Sequence, residues 1–273
     1  MIFYKVGALL KKQYFLKSQQ TIHKPIPAIK KMKTLTTILI LIISQLSFGQ
    51  SEEHKEKFRQ LEPDIWLSIW DKENSSKSIQ MDTLSYDDIP KTLDFRGTVV
   101  EALKWTDANG ENILIQTVTG HFTWKDYDKD STDYMIQDKS ELYAYLFQKS
   151  KSDNDYKRKW RVYDYTECFG VDWSTGYVPK ATTITDLDND GIAEISLPYV
   201  LICRGGMDPG EMKIIMYEGS TKYALSGSTM LFCKSEHPYG GEYKPSNNLK
   251  SNKTFLEFLN SHWERNKCEE GKY

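Results

Sequence analysis

Asp186, Asp188 and Asp190 alternate along Asp186–Glu194, which reads Asp-Leu-Asp-Asn-Asp-Gly-Ile-Ala-Glu. Carboxylates fall at positions 1, 3, 5 and 9 of this window, and Gly191 falls at position 6. That spacing suits a hard divalent cation. Ca²⁺ takes about six to eight oxygen ligands, and alternate acids on a tight loop can converge on one point. Glycine allows the positive-φ turn that brings them together. The expected ligands are the carboxylates of Asp186, Asp188, Asp190 and Glu194 and the backbone carbonyl of Ile192, with the Ile192 side chain turned into the core. The competing reading is an acidic β-turn without an ion, in which uncompensated carboxylates repel one another.

An EF-hand would need a bidentate Glu at position 12 and a helix after it. Position 12 is Leu197, and the residues that follow read as a strand. The loop instead resembles the Asp-x-Asp-x-Asp-Gly-x-x-Asp/Glu calcium loops of integrin-type and VCBS-type β repeats, which run directly into a strand. The resemblance covers roughly twenty residues. A second acidic group, Asp126, Asp128, Asp130 and Asp133, has Ser131 where glycine would stand and reads first as a solvated loop.

Other chemistry is faintly written. The chain has no Gly-x-Ser-x-Gly and no His-Glu-x-x-His. His121, His237 and His262 are isolated and read as packing or surface residues. A pair of carboxylates for glycoside hydrolysis needs a separation that sequence does not supply, so no catalytic residue is assigned. Most of the seven tryptophans fall at core phase in strands or in the last helix. Trp173 and Tyr177, in the loop before the acidic segment, are the pair expected to be exposed.

These residues must be positioned by strands. Gly97–Trp105 and Asn112–Thr119 alternate in polarity around Asp107-Ala108-Asn109-Gly110, where Asn-Gly favours a hairpin turn. Leu142–Gln148 and Trp160–Tyr165 form a second pair, and Met212–Tyr217 and Tyr223–Leu225 a third around Gly219. Ile192–Cys203 is a strand with Ala193, Ile195, Leu197, Tyr199, Leu201 and Cys203 on one face. Pro198 predicts an edge or a bulge there. Ile65–Trp70 reads as a short edge strand, and 71–92 and 238–245 as loops. Thr254–Glu264 carries Phe255, Leu256, Leu259 and Trp263 at helical spacing. The expected fold is mostly β: antiparallel hairpins in a sandwich or propeller-like stack, with a C-terminal α-helix.

Residues 1–50 differ from the rest, with eight Lys and no Arg, Asp or Glu. Removing those charges from the net −2 leaves about −10 for the body. Such a surface is a poor partner for nucleic acid or anionic membranes. Lys30, Lys31 and Lys33 precede the apolar run Leu35–Ile43, and Ser47-Phe48-Gly49 follows. This is the plan of a secretory signal with cleavage between Gly49 and Gln50. Met32 is its natural start, which leaves 1–31 as a leader. A membrane anchor is the alternative, and the run is short for a span. Residues 51–61 read as a short amphipathic helix. Residues 50–273 are then one exported β-rich domain in the periplasm or at the cell surface. Cys168, Cys203, Cys233 and Cys268 permit two disulfides in three pairings, or four buried thiols.

One longer resemblance concerns Thr182–Gly227. Ile184-Thr185-Asp186-Leu187-Asp188-Asn189-Asp190-Gly191-Ile192-Ala193-Glu194, Cys203-Arg204-Gly205, Met212-Lys213-Ile214-Ile215-Met216-Tyr217-Glu218-Gly219 and Lys222-Tyr223-Ala224-Leu225 resemble a family of exported Bacteroidota proteins labelled surface polysaccharide (lipopolysaccharide) biosynthesis proteins. The resemblance implies a role at the cell envelope and supplies no reaction. The resulting expectation is a non-enzymatic, calcium-stabilised protein that supports or binds surface polysaccharide or envelope proteins. The alternatives are a glycan-active enzyme using acidic residues, and an adhesion or protein-interaction module.

Overall fold

The computed structural model describes residues 68–129, 132–168 and 172–270. These lie within one unit of the chain, Lys55–Tyr273. The leader, the signal with its Gly49–Gln50 junction, the 51–61 helix, Trp66 and Asp130 fall outside the described residues. Among the described residues no helix is long and apolar enough to cross a membrane.

Strands β1 (Met81–Thr83), β2 (Thr98–Asp107), β3 (Gly110–Tyr127), β4 (Tyr134–Lys149) and β5 (Lys157–Cys168) form one antiparallel sheet in that order. The second sheet contains β6 (Asp172–Tyr177), β7 (Thr183–Thr185), β8 (Glu194–Arg204), β9 (Glu211–Glu218) and β10 (Thr221–Ser228). A two-stranded ribbon of β11 (Met230–Leu231) and β12 (Tyr239–Gly240) follows, and β13 (Tyr243–Pro245) returns to β10. The order across the second sheet is β13-β10-β9-β8-β6, with β7 beside β6 on the same flank of β8. The chain closes with helices α1 (Asn247–Ser251) and α2 (Lys253–Asn266).

Period-two burial explains the stacking. Leu103, Leu114, Leu142 and Leu146 of the first sheet share one core with Ile195, Leu197, Tyr199 and Leu201 of β8. Burying each such aliphatic side chain contributes about 1.5–3 kcal/mol. The alternate residues of β8, Val200 and Ile202, face the other way and pack with Phe255, Leu259 and Trp263 of α2. The Asn252 side chain caps α2 by accepting from the Phe255 N–H. The outer face of the first sheet is partly covered by Ile89, Leu93 and Phe95. The fold is thus mostly β and antiparallel, with two facing sheets and a C-terminal helix on the far side of the second. All three expected hairpins form.

Four local expectations change. The 71–92 and 238–245 segments contribute β1, β12 and β13, each two or three residues long and too short to read by pattern. Of the expected Ile65–Trp70 strand, 65–67 lie outside the described residues, and in the described part Trp70 makes an isolated parallel bridge to Thr182. Pro198 is not at a sheet edge, because β8 is flanked by β9 on one side and by β6 and β7 on the other. It sits at the break between β7, whose pairing ends at Ser196, and β6, whose pairing begins at Tyr199. Its carbonyl accepts from the Val178 N–H on that side, so the missing donor falls where the strand partner is interrupted. Finally, Tyr177 is buried on β6, with its hydroxyl donating to the Tyr143 carbonyl at 2.6 Å. Trp173 is half-buried on the same strand and stacks on His121 at 3.9 Å. The pair expected to be exposed is used to join the two sheets.

Candidate metal centre and aromatic face

The acidic loop is shaped by its own side chains. Asp186 Oδ1 accepts from the Gly191 N–H, Asp188 Oδ1 from the Asp190 N–H, and Asp190 Oδ1 from the Ile192 N–H. Asn189 and Gly191 have φ of 61° and 80°. A Cβ on Gly191 would meet only the Ala108 Cβ, at 3.6 Å, so glycine serves the backbone angle and not close packing. The loop docks on the β2–β3 turn. The Gly191 carbonyl accepts from the Ala108 N–H at 2.8 Å. Asp107 Oδ2 accepts from the Ala193 N–H and from Trp105 Nε1.

Glu194 begins β8 and is fully buried. Its Oε2 accepts from the Thr185 hydroxyl and the Leu187 N–H, each at 2.9 Å, whereas Oε1 has no hydrogen-bond partner. An orphaned buried carboxylate oxygen costs free energy unless something compensates it. Carboxylate oxygens of Asp186, Asp188 and Glu194 lie within 4.8 Å of one another, as do those of Asp188, Asp190 and Glu218. Two oxygens bound to one hard cation at about 2.4 Å stand at most about 5 Å apart, so both groups have a compatible spread. Burial, with the nearby Asp188 charge, pushes the Glu194 carboxyl up to about 7. Burial and the Asp188 and Asp190 charges raise Glu218 as well. A cation would reverse the charge contributions. These acidic clusters could hold a metal ion.

The structure therefore divides the sequence-derived set. Asp186, Asp188 and Glu194 converge, while Asp190 joins Asp188 and Glu218. Ile192 is half-buried and outside the core clusters; Ala193 enters the core instead, because the loop leans on the β2–β3 turn. Leu197 is fully buried between the sheets, as the exclusion of an EF-hand requires. Glu218 was not found from sequence. Its link to Glu194 is cross-strand register, and only the Tyr217-Glu218-Gly219 hairpin end marked its neighbourhood. In the second acidic group, Asp126 lies in β3, and the Asp128 N–H donates to the Asp133 carbonyl across the β3–β4 turn. Among the described residues, that turn forms no cluster able to hold a metal.

A second feature lies on the outer face of the first sheet. Cross-strand register places Tyr143 opposite Tyr163, and Glu141 opposite Tyr165. Tyr145, Tyr143, Tyr163 and Tyr165 stack in sequence at centroid separations of 5.0–5.8 Å. Tyr163 and Tyr165 are 39% and 42% exposed, enough to offer ring surface to a ligand. Buried Glu141 is the hub. It accepts from the hydroxyls of Tyr143 (2.7 Å) and Tyr163 (3.1 Å) and pairs with Arg96 (3.0 Å) and Lys139 (3.4 Å). Burial works against its charged form, but the Tyr143 and Tyr163 hydroxyls, Arg96 and Lys139 hold the carboxyl below its ordinary range. Lys139 lies 4.2 Å from the Tyr165 centroid and 5.6 Å from that of Trp124. The strip is thus rigid, part aromatic and part charged.

A cleft of about 690 Å³ opens between β5 and the β8–β9 end, lined in part by Asp164, Glu167 and Glu211. Lys213 binds both Asp164 (2.8 Å) and Glu211 (3.1 Å). One lysine thus pairs with two of the three carboxylates that line the cleft. His237 is exposed, and His262 is buried on α2 beside Phe258. Comparison of the chain with protein-family models, with curated proteins and with solved structures finds no match.

Proposed function

We propose that this chain is an exported, calcium-stabilised β protein that binds cell-surface polysaccharide without acting on it chemically. The observation that carries the reading is the exposed Tyr163–Tyr165 strip with Lys139 and Arg96 around Glu141. Aromatic rings offer apolar faces to the C–H surface of a sugar, and charged groups beside them bind its hydroxyls. A platform already rigid when free loses little entropy on binding. The likeness of Thr182–Gly227 to envelope polysaccharide proteins points the same way. Four disulfide-bonded cysteines are compatible with an oxidising compartment.

For the ion we propose Ca²⁺, held by Asp186, Asp188 and Glu194, with Asp190 and Glu218 beside them. All the donors are oxygens, which favours a hard cation, and Ca²⁺ tolerates irregular coordination better than Mg²⁺. Its role would be to brace the loop between β7 and β8. The enzymatic alternative is less well supported, because Lys213 pairs with two of the three carboxylates that line the cleft between β5 and the β8–β9 end.

The test is a glycan array and a pull-down with envelope polysaccharide, comparing the parent chain with a Tyr163→Ala/Tyr165→Ala variant. Retention by the parent and loss in the variant are expected. A parent chain that retains no carbohydrate would sink the reading and favour the protein-interaction alternative.

A further inference from the structure

Strand β5 opens with Lys157-Arg158-Lys159-Trp160-Arg161, four cations in five residues on a body whose net charge is strongly negative. It is an edge strand: among the described residues β4 is its one hydrogen-bonded sheet neighbour. Lys157 is held by Asp153 at 2.6 Å. Arg158, Lys159 and Arg161 are exposed and make no ion pair among the described residues. Register explains how they gather. Arg161 stands opposite Tyr145 and Arg158 opposite Phe147, and Lys159 is the extra residue of the bulge between them. Two arginines separated by three positions are thereby brought to the same outer face. Both guanidinium groups oppose the rise that burial imposes on the Tyr145 hydroxyl, which places their charge near that ring; the exposed Asp94 acts in the opposite sense. The Arg161 guanidinium also lies 5.8 Å from the Tyr163 centroid. The cations therefore run without a gap into the tyrosine strip.

We infer that the Arg158–Lys159–Arg161 bulge binds the carboxylates of an acidic, uronate-bearing glycan whose sugar faces lie on Tyr163 and Tyr165. The inference rests on the glycan reading above and names the chemical class of that glycan. Charge complementarity selects the occupant. Unpaired arginines offer forked donors that match a carboxylate, and a local cationic stripe on an acidic body attracts an anionic chain only where the stripe lies. Lysines on an edge strand also deter edge-to-edge pairing. That role alone does not account for arginines turned onto a sheet face beside exposed tyrosines.

The experiment is affinity electrophoresis of the full chain in gels containing polygalacturonate, its carboxyl-reduced neutral counterpart, or double-stranded DNA, alongside a panel of neutral polysaccharides. Retardation by polygalacturonate alone is expected. It should weaken by about tenfold or more in Arg158→Gln/Arg161→Gln, equivalent to losing one good charged contact, and fall as salt is raised. An unchanged melting temperature and monomer fraction in that variant would set aside unfolding and edge aggregation. Lys157→Gln, whose partner is Asp153, should bind as the parent does. Equal retardation by the carboxyl-reduced polymer overturns the acidic class and leaves the glycan reading standing. Equal retardation by DNA also overturns it, since the stripe would then be a general polyanion surface. No retardation by any glycan overturns both.

Discussion

Glu194 on β8 and Glu218 on β9 occupy directly opposed register positions in the second sheet, the first fully buried and the second half-buried. Like charges so placed destabilise a sheet, and Asp188 belongs to a close carboxylate group with each of them. A positive charge at the same end of the sheet would relieve this repulsion.

Ca²⁺ is therefore expected to raise the melting temperature, and a chelator to remove the gain. Binding to the folded state at about 100-fold over Kd stabilises by roughly 2.7 kcal/mol, or roughly 5–10 °C for a chain of this size. Asp188→Ala, which removes the acid common to both groups, should abolish the response. A calcium shift of the same size in that variant would exclude the site.

Glu111 gives stability a dependence on acid pH. Lys149 (3.1 Å), the Tyr156 hydroxyl (3.0 Å) and Lys104 (3.2 Å) hold its carboxyl down at about 2, against an ordinary value of 4.5. A depressed folded pKa means the contribution is present above about 4.5 and is lost as pH falls toward about 2. Glu111 is 36% exposed, so solvent screening reduces its size to on the order of 1 kcal/mol. Glu111→Gln should melt lower than the parent at pH 7, and the two should converge near pH 2. A difference independent of pH would refute the assignment.

The disulfides join Cys168 to Cys203 and Cys233 to Cys268. The first links the end of β5 to β8 and so ties one sheet to the other. Each closes a separation of 35 residues, for which the chain-entropy model gives roughly 3–4 kcal/mol. Non-reducing peptide mapping should recover these two pairs. Cys168→Ser/Cys203→Ser should lower the unfolding free energy from denaturant titration by that order, and crossed pairs in the map would contradict the fold.

Gly227 on β10 faces the backbone of the segment entering β13. A Cβ there would stand 1.9 Å from the Glu242 carbonyl oxygen, whereas one on Gly206 would meet nothing within 4 Å. Gly227→Ala should therefore destabilise by about 1–3 kcal/mol through overpacking, with Gly206→Ala close to neutral. Equal melting temperatures for the two variants would count against the β10–β13 pairing.

Legibility followed the range of the interactions. The β2–β3, β4–β5 and β9–β10 hairpins were readable because period-two alternation and a local turn suffice to define them. The outer halves of β3 and β4 were not. Beyond Val118 and Asp138 those strands pair with each other and, among the described residues, with no other strand. Tyr127, Tyr134, Met135 and Ile136 there are exposed, so no buried face imprints an alternation. Pro198 misled because proline forbids one donor, not an interior position. A break in the neighbouring strand meets that constraint as well as an edge does.

The sequence by itself determined the acidic loop, its positive-φ glycine, the β character and the C-terminal helix, since each rests on residues within a few positions of one another. Only the tertiary structure decided that Asp190 parts from Asp186 to join Glu218, that Cys168 meets Cys203, and that Arg158 and Arg161 share a face with Tyr163. Those relations depend on strand register and on a one-residue bulge, and a one-residue shift turns every side chain to the opposite face. Packing of the whole core sets that register, and no local window of sequence contains it.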